Sequence, residues 1–295
     1  MSGPFLSYTK ARTLPEAIAL LQRQPARAIA GGTDLLLEPC REGQAFHVVD
    51  ISRVAELDGI EVGAAELRLG AATRMADIAR SERLAGGLRA LAQGAAQVGS
   101  VQIRHQATLG GNLCHASPSA DTAAPLLALN ARVELASAAG TRQMPLAEFF
   151  RGPGQTALQP GEILSVVVVP RLSPEAVGEY VKLSRRRAMD LAIVGVCVVL
   201  DRAGDRPDPR IALAAVAPTP LRASPAEDYL RGTSAWDERT LNEAGRLAAE
   251  ACSPIDDIRG SAAYRREMVR NLTAQTLARL ATSLIVTRDA SLRSA

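Results

Sequence analysis

The chain has 295 residues, enough for two domains, and its 47% hydrophobic and 22% charged residues are typical of a folded globular protein. A net charge of +3 and an aromatic content of 3% argue against nucleic-acid binding, which needs a clustered basic face and stacking aromatics. The most apolar stretch, residues 191–200, is much shorter than the roughly 20 residues of a membrane-spanning helix. We therefore expect neither a nucleic-acid partner nor a membrane span.

The cysteines lie far apart in the sequence, at Cys40, Cys114, Cys197 and Cys252. No two of them have C-x-x-C spacing, so we expect neither a zinc site nor an iron–sulfur cluster held by this chain. So few cysteines in a chain of this length do not indicate a disulfide scaffold. A reducing, cytoplasmic compartment is the expectation that follows.

In the first part of the chain, apolar residues at helical spacing predict a helix at 14–22, with Thr13 as its N-cap. A short buried strand at 27–30 runs directly into a pair of glycines. The sequence next predicts two strands, at 47–51 and 66–69, and then two helices, at 73–81 and 84–98.

Residues 103–125 are rich in Gly, Ser, Asn and Thr, have weak periodicity and are predicted to form a long loop. Long loops inside compact domains are usually functional. The predicted elements that complete the first half of the chain are the end of a helix followed by a strand, at 126–137, and a further strand at 162–169. The segment 171–174 is the candidate boundary, which predicts domains at 1–170 and 175–290.

After that boundary, strands are predicted at 179–183, 191–200 and 211–216, joined by polar turns at 185–190 and 201–210. Short connections of this kind favour an antiparallel sheet. Three helical patterns follow the strands, at 224–231, 238–251 and 260–286.

The first candidate site is the glycine turn that follows the strand at 27–30, and it consists of Ala30, Gly31, Gly32, Thr33 and Asp34. Two glycines permit positive φ and let backbone N–H groups point together, which makes a nest for an anion such as a phosphate. The turn lacks the G-x-G-x-x-G pattern, so an ordinary tight turn is the alternative.

A second glycine motif, with Thr108, Gly110, Gly111 and Asn112, lies within the predicted loop. Two glycine loops that converge from different strands could clamp the pyrophosphate of a dinucleotide from both sides, and two unrelated turns are the alternative. Asp121 follows closely, and a carboxylate beside a glycine loop commonly accepts ribose or ribityl hydroxyls. Asp121 could instead, or in addition, cap a helix that begins at Thr122.

Lys182 is one of only two lysines in the chain. If its strand alternates, Tyr180, Lys182 and Ser184 share one face, where the lysine could meet a phosphate or an electron-rich ring. The histidines beside the second glycine motif, His105 and His115, have no further ligands at metal-binding spacing, so no metal site is predicted.

Five motifs resemble the flavoprotein (medium) subunit of the molybdenum hydroxylases, of the xanthine dehydrogenase and carbon monoxide dehydrogenase types. They are AGGTDL at 30–35, IRHQATLGGNLCHASPSAD at 103–121, GEIL at 161–164, YVKLSRRRAMDLAIVGV at 180–196 and RIALAAVAPTP at 210–220. Their order and spacing follow the family over almost the whole chain. The resemblance implies an α+β fold, with an N-terminal FAD-binding unit of two subdomains (PCMH-type) and a C-terminal antiparallel sheet with helices.

The resemblance also implies the residues that bind FAD. The turn from Ala30 to Asp34 and the Gly110-Gly111-Asn112 turn would hold the pyrophosphate, with Thr108 beside them. Asp121 would bind FAD hydroxyls, the backbone of Leu164 would meet the flavin nucleotide, and Lys182 would lie near the isoalloxazine. Leu191 and Val98 are aliphatic where some relatives have aromatic residues. No catalytic residue for substrate chemistry is implied.

By the same resemblance, the chain is one subunit of a heterotrimeric oxidoreductase. A large subunit with molybdenum cofactor oxidises the organic substrate, and a small subunit with two [2Fe–2S] clusters relays electrons to the FAD of this chain. NAD, oxygen and a quinone stay open as terminal acceptors. The alternatives are a stand-alone FAD-dependent oxidoreductase for a small alcohol or amine, for which His105 is the nearest candidate base, and a scaffold subunit without tight FAD binding.

Overall fold

The computed structural model describes residues 5–37, 45–203 and 206–293. Its strands are β1 (Phe5–Lys10), β2 (Ala26–Ile29), β3 (Phe46–Asp50), β4 (Ile60–Val62), β5 (Glu66–Gly70), β6 (Arg132–Ser137), β7 (Gly140–Pro145), β8 (Phe150–Gly152), β9 (Gln155–Thr156), β10 (Ile163–Pro170), β11 (Val177–Leu183), β12 (Val194–Ala203), β13 (Arg206–Ala214) and β14 (Leu221–Arg222). Its helices are α1 (Leu14–Leu21), α2 (Met75–Arg80), α3 (Arg89–Ala96), α4 (Val101–Arg104), α5 (Leu109–His115), α6 (Ala123–Ala128), α7 (Leu146–Phe149), α8 (Ser224–Gly232), α9 (Glu238–Glu250) and α10 (Ala262–Arg293).

The first part of the chain forms a three-stranded parallel sheet in the order β1-β3-β2, covered by α1. The cap prediction is confirmed, because the Glu16 N–H donates to Thr13 Oγ1 at 3.3 Å. Helix α1 buries Ala17 and Leu21 in a small core with Val49. The expectation of a buried strand at 27–30 is wrong in part: within β2 only Ile29 is buried.

The middle of the chain forms a five-stranded antiparallel sheet in the order β4-β5-β10-β6-β7. Strand β10 is central, and Val167, Val168 and Val169 are fully buried, which fits its continuous apolar sequence. Helices α2, α3, α5 and α6 pack side chains into this largest core, among them Met75, Leu91 and Leu109.

The predicted loop at 103–125 is corrected by the structure, which contains α5 in its centre and the start of α6 at its end. Two glycines, an asparagine and a cysteine give α5 a poor intrinsic helix propensity. Tertiary packing compensates, because Leu109 and Leu113 are both fully buried on the face that α5 turns to the core.

The last part of the chain forms an antiparallel sheet in the order β11-β12-β13-β14, covered by α8, α9 and α10, as the sequence predicts. The polar turn expected at 201–210 is wrong in its extent, because β12 and β13 continue to the pair Ala203 and Arg206. With one parallel and two larger antiparallel sheets, the fold is α+β. In the described part of the chain, no helix is both long enough and apolar enough to cross a membrane.

Candidate functional site

A cleft of about 790 Å³ lies between the end of β2 with the turn that follows it, the helical segment at 98–121 and the loop at 189–191. It falls within the roughly 300–1,000 Å³ that is typical of small-molecule and cofactor sites. Its walls come from three distant parts of the sequence, at 27–35, 98–121 and 189–191, with Gly154 in addition. The predicted site residues on its surface are Ala30, Gly31, Gly32, Thr33, Asp34, Thr108, Gly111, Asn112 and Asp121.

The first glycine turn is pressed against the segment that leads to the second. A Cβ on Gly31 would lie 1.9 Å from the carbonyl oxygen of Gln106, so any side chain there would force the two loops apart. Gly32 has φ of +68°, a left-handed conformation that glycine adopts without strain. The structure thus places the first glycine turn directly against the segment that leads into the second glycine motif, and both motifs line the cleft.

The second glycine motif forms the first turn of α5 instead of the expected free turn. Thr108 is its N-cap, and its Oγ1 accepts the Gly111 N–H at 3.2 Å. Gly110 turns away from the cleft, because its N–H donates to the Ala71 carbonyl at 2.7 Å and a Cβ would lie 2.6 Å from Ala71 Cβ. Gly110 therefore permits close packing, while Gly111 keeps the cleft wall open.

Asp121 reaches the cleft with a carboxylate that is held by two protein donors. Its Oδ1 accepts from the Tyr180 hydroxyl and its Oδ2 from Lys182 Nζ, both at 2.8 Å. The alternative role as a helix cap is wrong, because α6 begins after Thr122 and has no side-chain cap. Burial raises the pKa of Asp121, and the adjacent Lys182 and Tyr180 partly offset this by favouring the carboxylate.

Lys182 lies behind the cleft wall, with 5% of its side chain exposed, and is not among the lining residues. Its ammonium group also donates to the Gln97 carbonyl at 3.2 Å. Because Tyr180 and Lys182 reach the same carboxylate, the predicted shared face of β11 is confirmed for these two residues. Leu164 is likewise outside the lining set and lies buried in β10, paired with Leu135 of β6.

Sequence reasoning missed several residues of the cleft, among them Arg27, Cys114 and His115. A helical reading of 109–115 would have found the last two, because positions 111, 114 and 115 share one face of a helix. His115 Nε2 lies 3.9 Å from Asp34 Oδ1, so this pair joins α5 to the first glycine turn. The remaining lining residues include Val98 and Leu191, the two aliphatic positions noted in the sequence.

Burial raises the pKa of the Cys114 thiol to about 12, which disfavours the nucleophilic thiolate at neutral pH. In the described ranges of the chain, no group of three or more His, Cys, Asp or Glu side chains is placed to hold a metal ion. The cleft therefore offers backbone loops, the buried Asp121 carboxylate, further charged groups such as Arg27 and Asp34, and apolar side chains, which suit the binding of a cofactor.

Comparison with known proteins agrees with this description. Residues 4–172 match the FAD binding domain in molybdopterin dehydrogenase, and residues 179–280 match the CO dehydrogenase flavoprotein C-terminal domain. The chain is 34% identical over 279 residues to the xanthine dehydrogenase FAD-binding subunit of Escherichia coli O157:H7, covering 92% of this chain and 95% of the relative. It is 32% identical over 281 residues to the carbon monoxide dehydrogenase medium chain of Hydrogenophaga pseudoflava, covering 94% and 97%.

Solved structures show the same likeness. Carbon monoxide dehydrogenase from Hydrogenophaga pseudoflava superposes with a TM-score of 0.89 at 32% identity, covering 96% of this chain and 99% of that chain. Quinoline 2-oxidoreductase from Pseudomonas putida 86 gives a TM-score of 0.84 at 32% identity, with the same two coverages.

The fold and the cleft define a cofactor-binding oxidoreductase subunit. More narrowly, the chain belongs to the family of FAD-binding, or medium, subunits of the xanthine dehydrogenase and carbon monoxide dehydrogenase type of molybdenum hydroxylase. FAD is the cofactor of this family, whose members are subunits of larger enzymes. A stand-alone FAD-dependent oxidoreductase is not favoured by these findings.

Proposed function

We propose that this chain holds FAD in the cleft and passes electrons from an iron–sulfur subunit to a terminal acceptor. The observation that carries this proposal is that both glycine motifs line one cleft, with Gly31 packed against the Gln106 carbonyl just before the second motif. The residues proposed to bind FAD are Ala30, Gly31, Gly32, Thr33, Asp34, Thr108, Gly110, Gly111, Asn112, Asp121, Leu164 and Lys182. Among them, Gly110, Leu164 and Lys182 would act from behind the cleft surface, through packing or through neighbours.

Each group of residues has a distinct part in this proposal. Gly31, Gly32 and Gly111 let the backbone approach a pyrophosphate closely, because none of them places a side chain in its way. Asp121 presents a carboxylate to the hydroxyl groups of the cofactor, and Lys182 balances its charge. Bound FAD supplies the redox chemistry, because a flavin accepts electrons singly and releases them as a pair.

The stand-alone alternative requires a general base beside the flavin. His105, the nearest candidate in the sequence, is exposed at the end of α4 and does not line the cleft. We infer instead that substrate oxidation takes place in a partner, a large subunit with molybdenum cofactor. A small subunit with two [2Fe–2S] clusters would relay the electrons within a heterotrimer. The terminal acceptor would be NAD or another electron acceptor that reaches the flavin.

We further propose that the chain divides into an FAD-binding domain at 1–170 and a C-terminal domain at 175–290. The matched regions at 4–172 and 179–280 support this division. We also infer a cytoplasmic location for the enzyme. Free thiols at Cys114, Cys197 and Cys252 support it, because disulfides are rare in a reducing compartment.

The experiment is to purify the full chain and two glycine variants and to measure bound flavin. We expect the parent to carry one non-covalent FAD. Gly31→Ala should weaken FAD binding by about 5- to 100-fold, because overpacking a close contact costs about 1–3 kcal/mol and 1.4 kcal/mol is a factor of ten.

Gly232→Ala is the matched control, because Gly232 is exposed at the end of α8 and no heavy atom lies within 4 Å of a Cβ built there. It should bind FAD as the parent does. Equal affinities for the parent and for Gly31→Ala would remove the glycine contact as the basis of the site.

A further inference from the structure

Tyr180 is a buried tyrosine whose hydroxyl donates a hydrogen bond to the Asp121 carboxylate at the cleft wall. Only 4% of the residue is exposed, and its Oη donates to Asp121 Oδ1 at 2.8 Å. The other carboxylate oxygen accepts from Lys182 Nζ at the same distance. The two donors come from alternate positions of β11, so a single strand fixes both oxygens of Asp121.

The surroundings hold the Tyr180 ring in one place. Its backbone N–H donates to Gln93 Oε1 of α3 at 2.8 Å. Across the sheet, Gly195 of β12 pairs with Lys182, and a Cβ on Gly195 would lie 2.8 Å from Tyr180 Oη. The absence of a side chain at Gly195 therefore leaves the space that the hydroxyl occupies.

We propose that Tyr180 is a positioning residue for the cofactor, whose hydroxyl keeps the Asp121 carboxylate ionised and oriented to accept hydroxyl groups of FAD. This inference rests on the proposed function, since it requires FAD in the cleft. Lys182 alone would hold only Oδ2 of Asp121, and the carboxylate could still rotate about that contact. The bond from Tyr180 to Oδ1 prevents this rotation, which neither Lys182 nor the glycine motifs can do.

The electrostatics of the pocket support this role. Burial raises the pKa of Asp121, while the charge and hydrogen bond of Lys182 and the hydrogen bond of Tyr180 lower it. Burial and the Asp121 charge raise the pKa of Tyr180, so its hydroxyl stays protonated and remains a donor. The titratable groups that face this carboxylate are Lys182 and Tyr180 of β11, with the Cys197 thiol of β12 behind the tyrosine.

Removal of the hydroxyl should make FAD binding sensitive to pH. Without its donor, Oδ1 is buried and unpaired, so Asp121 takes up a proton at higher pH than in the parent. A protonated carboxyl loses acceptor capacity, so affinity for FAD falls as pH drops through the pKa of Asp121. In Tyr180→Phe this fall should begin at higher pH.

The experiment is to titrate the full apo-chain with FAD from pH 4, near the ordinary pKa of an aspartate, up to pH 8 and to follow the dissociation constant by flavin fluorescence. We expect the midpoint of the pH profile to rise by about one to two units in Tyr180→Phe, since a hydrogen bond to a charged group corresponds to roughly that shift. Gly195→Ala, which displaces the hydroxyl without removing it, should shift the profile in the same direction. It also serves as the second test if Tyr180→Phe does not fold.

Tyr229→Phe is the control, because Tyr229 is half-buried on α8 in the C-terminal core. A purely structural role for Tyr180 would lower the melting temperature and leave the pH profile unchanged, and that result would overturn the inference. Failure of the parent to bind FAD would instead count against the proposed function. A parent that binds FAD, with Tyr180→Phe and Gly195→Ala profiles identical to its own, would reject only the role of Tyr180.

Discussion

At the residue scale, Lys182 carries a positive charge that is buried and paired with a carboxylate. Of 34 basic residues only Lys10 and Lys182 are lysines, and Lys182 has just 5% of its side chain exposed. A buried ammonium group is stable only when it is paired, and here Asp121 pairs with it. The neighbouring Arg185 is exposed in the turn after β11. Two cations three positions apart thus have opposite environments.

We expect Lys182→Ala to alter the absorption or the reduction potential of bound flavin, whereas Arg185→Ala should leave both nearly unchanged. The lysine variant leaves a buried carboxylate with only Tyr180 as partner, and breaking a buried ion pair in this way costs about 3–5 kcal/mol. The measurements are a flavin spectrum and a potentiometric titration of each variant, with a thermal melt alongside. Equal effects of the two substitutions would remove the reason for assigning Lys182 to the site.

At the scale of elements, the first turn of α5 has two functions, because it stabilises the N-terminus of the helix and also forms part of the cleft surface. Thr108 caps α5, and its neighbour Gly111 lies on the cleft surface. The residue before the cap, Ala107, accepts the N–H of Met75 at the start of α2. The cap is therefore fixed from the core side while the opposite side of the turn faces the cleft.

Thr108→Ala should destabilise the protein by about 0.5–2 kcal/mol, the usual cost of losing an N-cap, and should also weaken FAD binding. Thr13→Ala is the matched control, because Thr13 caps α1 through the same kind of bond, to Glu16 N, and does not line the cleft. Chemical denaturation and FAD titration of both variants test this. Similar losses of FAD affinity in the two variants would mean that the Thr108 effect is only one of stability.

Two strands that the sequence predicted in the last part of the chain are strongly apolar. Strands β12 and β13 are paired along most of their length and lie between two cores, with Val196 and Val198 in one and Cys197 and Val199 in the other, so their apolar residues run without interruption. Strand β1 was not predicted because all six of its residues are exposed, and its position depends on parallel pairing with β3, about 40 residues away. Helix α5 was not predicted because its stability comes from the cap and from tertiary burial.

At the scale of the whole molecule, the cleft is built by contacts that no local pattern contains. The Ala215 N–H donates to the Pro118 carbonyl at 2.7 Å, and Arg222 Nη1 donates to the Leu127 carbonyl at 3.1 Å. With the bond from Lys182 to Gln97, these contacts fix the C-terminal sheet against the middle of the chain. The glycine motifs were recognisable in the sequence, but the arrival of residues 189–191 at the same cleft depends on this packing.

The cleft and the cysteines together determine what the isolated chain can do. In the described part of the chain no cluster of side chains could hold a metal ion, and burial raises the pKa of the Cys114, Cys197 and Cys252 thiols. Cys40 lies outside the described residues. Under the proposed function, electrons reach the flavin from another protein.

We expect the isolated, FAD-loaded chain to oxidise no purine, aldehyde or heteroaromatic compound, although an artificial donor should reduce its flavin and a dye should reoxidise it. The cleft carries a cofactor clamp, its Asp121 carboxylate is engaged by Tyr180 and Lys182, and His115 lies against Asp34, so we assign none of these groups as a general base for substrate chemistry. Each substrate class is assayed with the chain alone and again after the iron–sulfur and molybdenum subunits are added, with the dye reaction as the control for active flavin. Turnover that appears only in the complete complex supports electron entry across a subunit interface. Turnover by the chain alone would instead establish a stand-alone oxidoreductase.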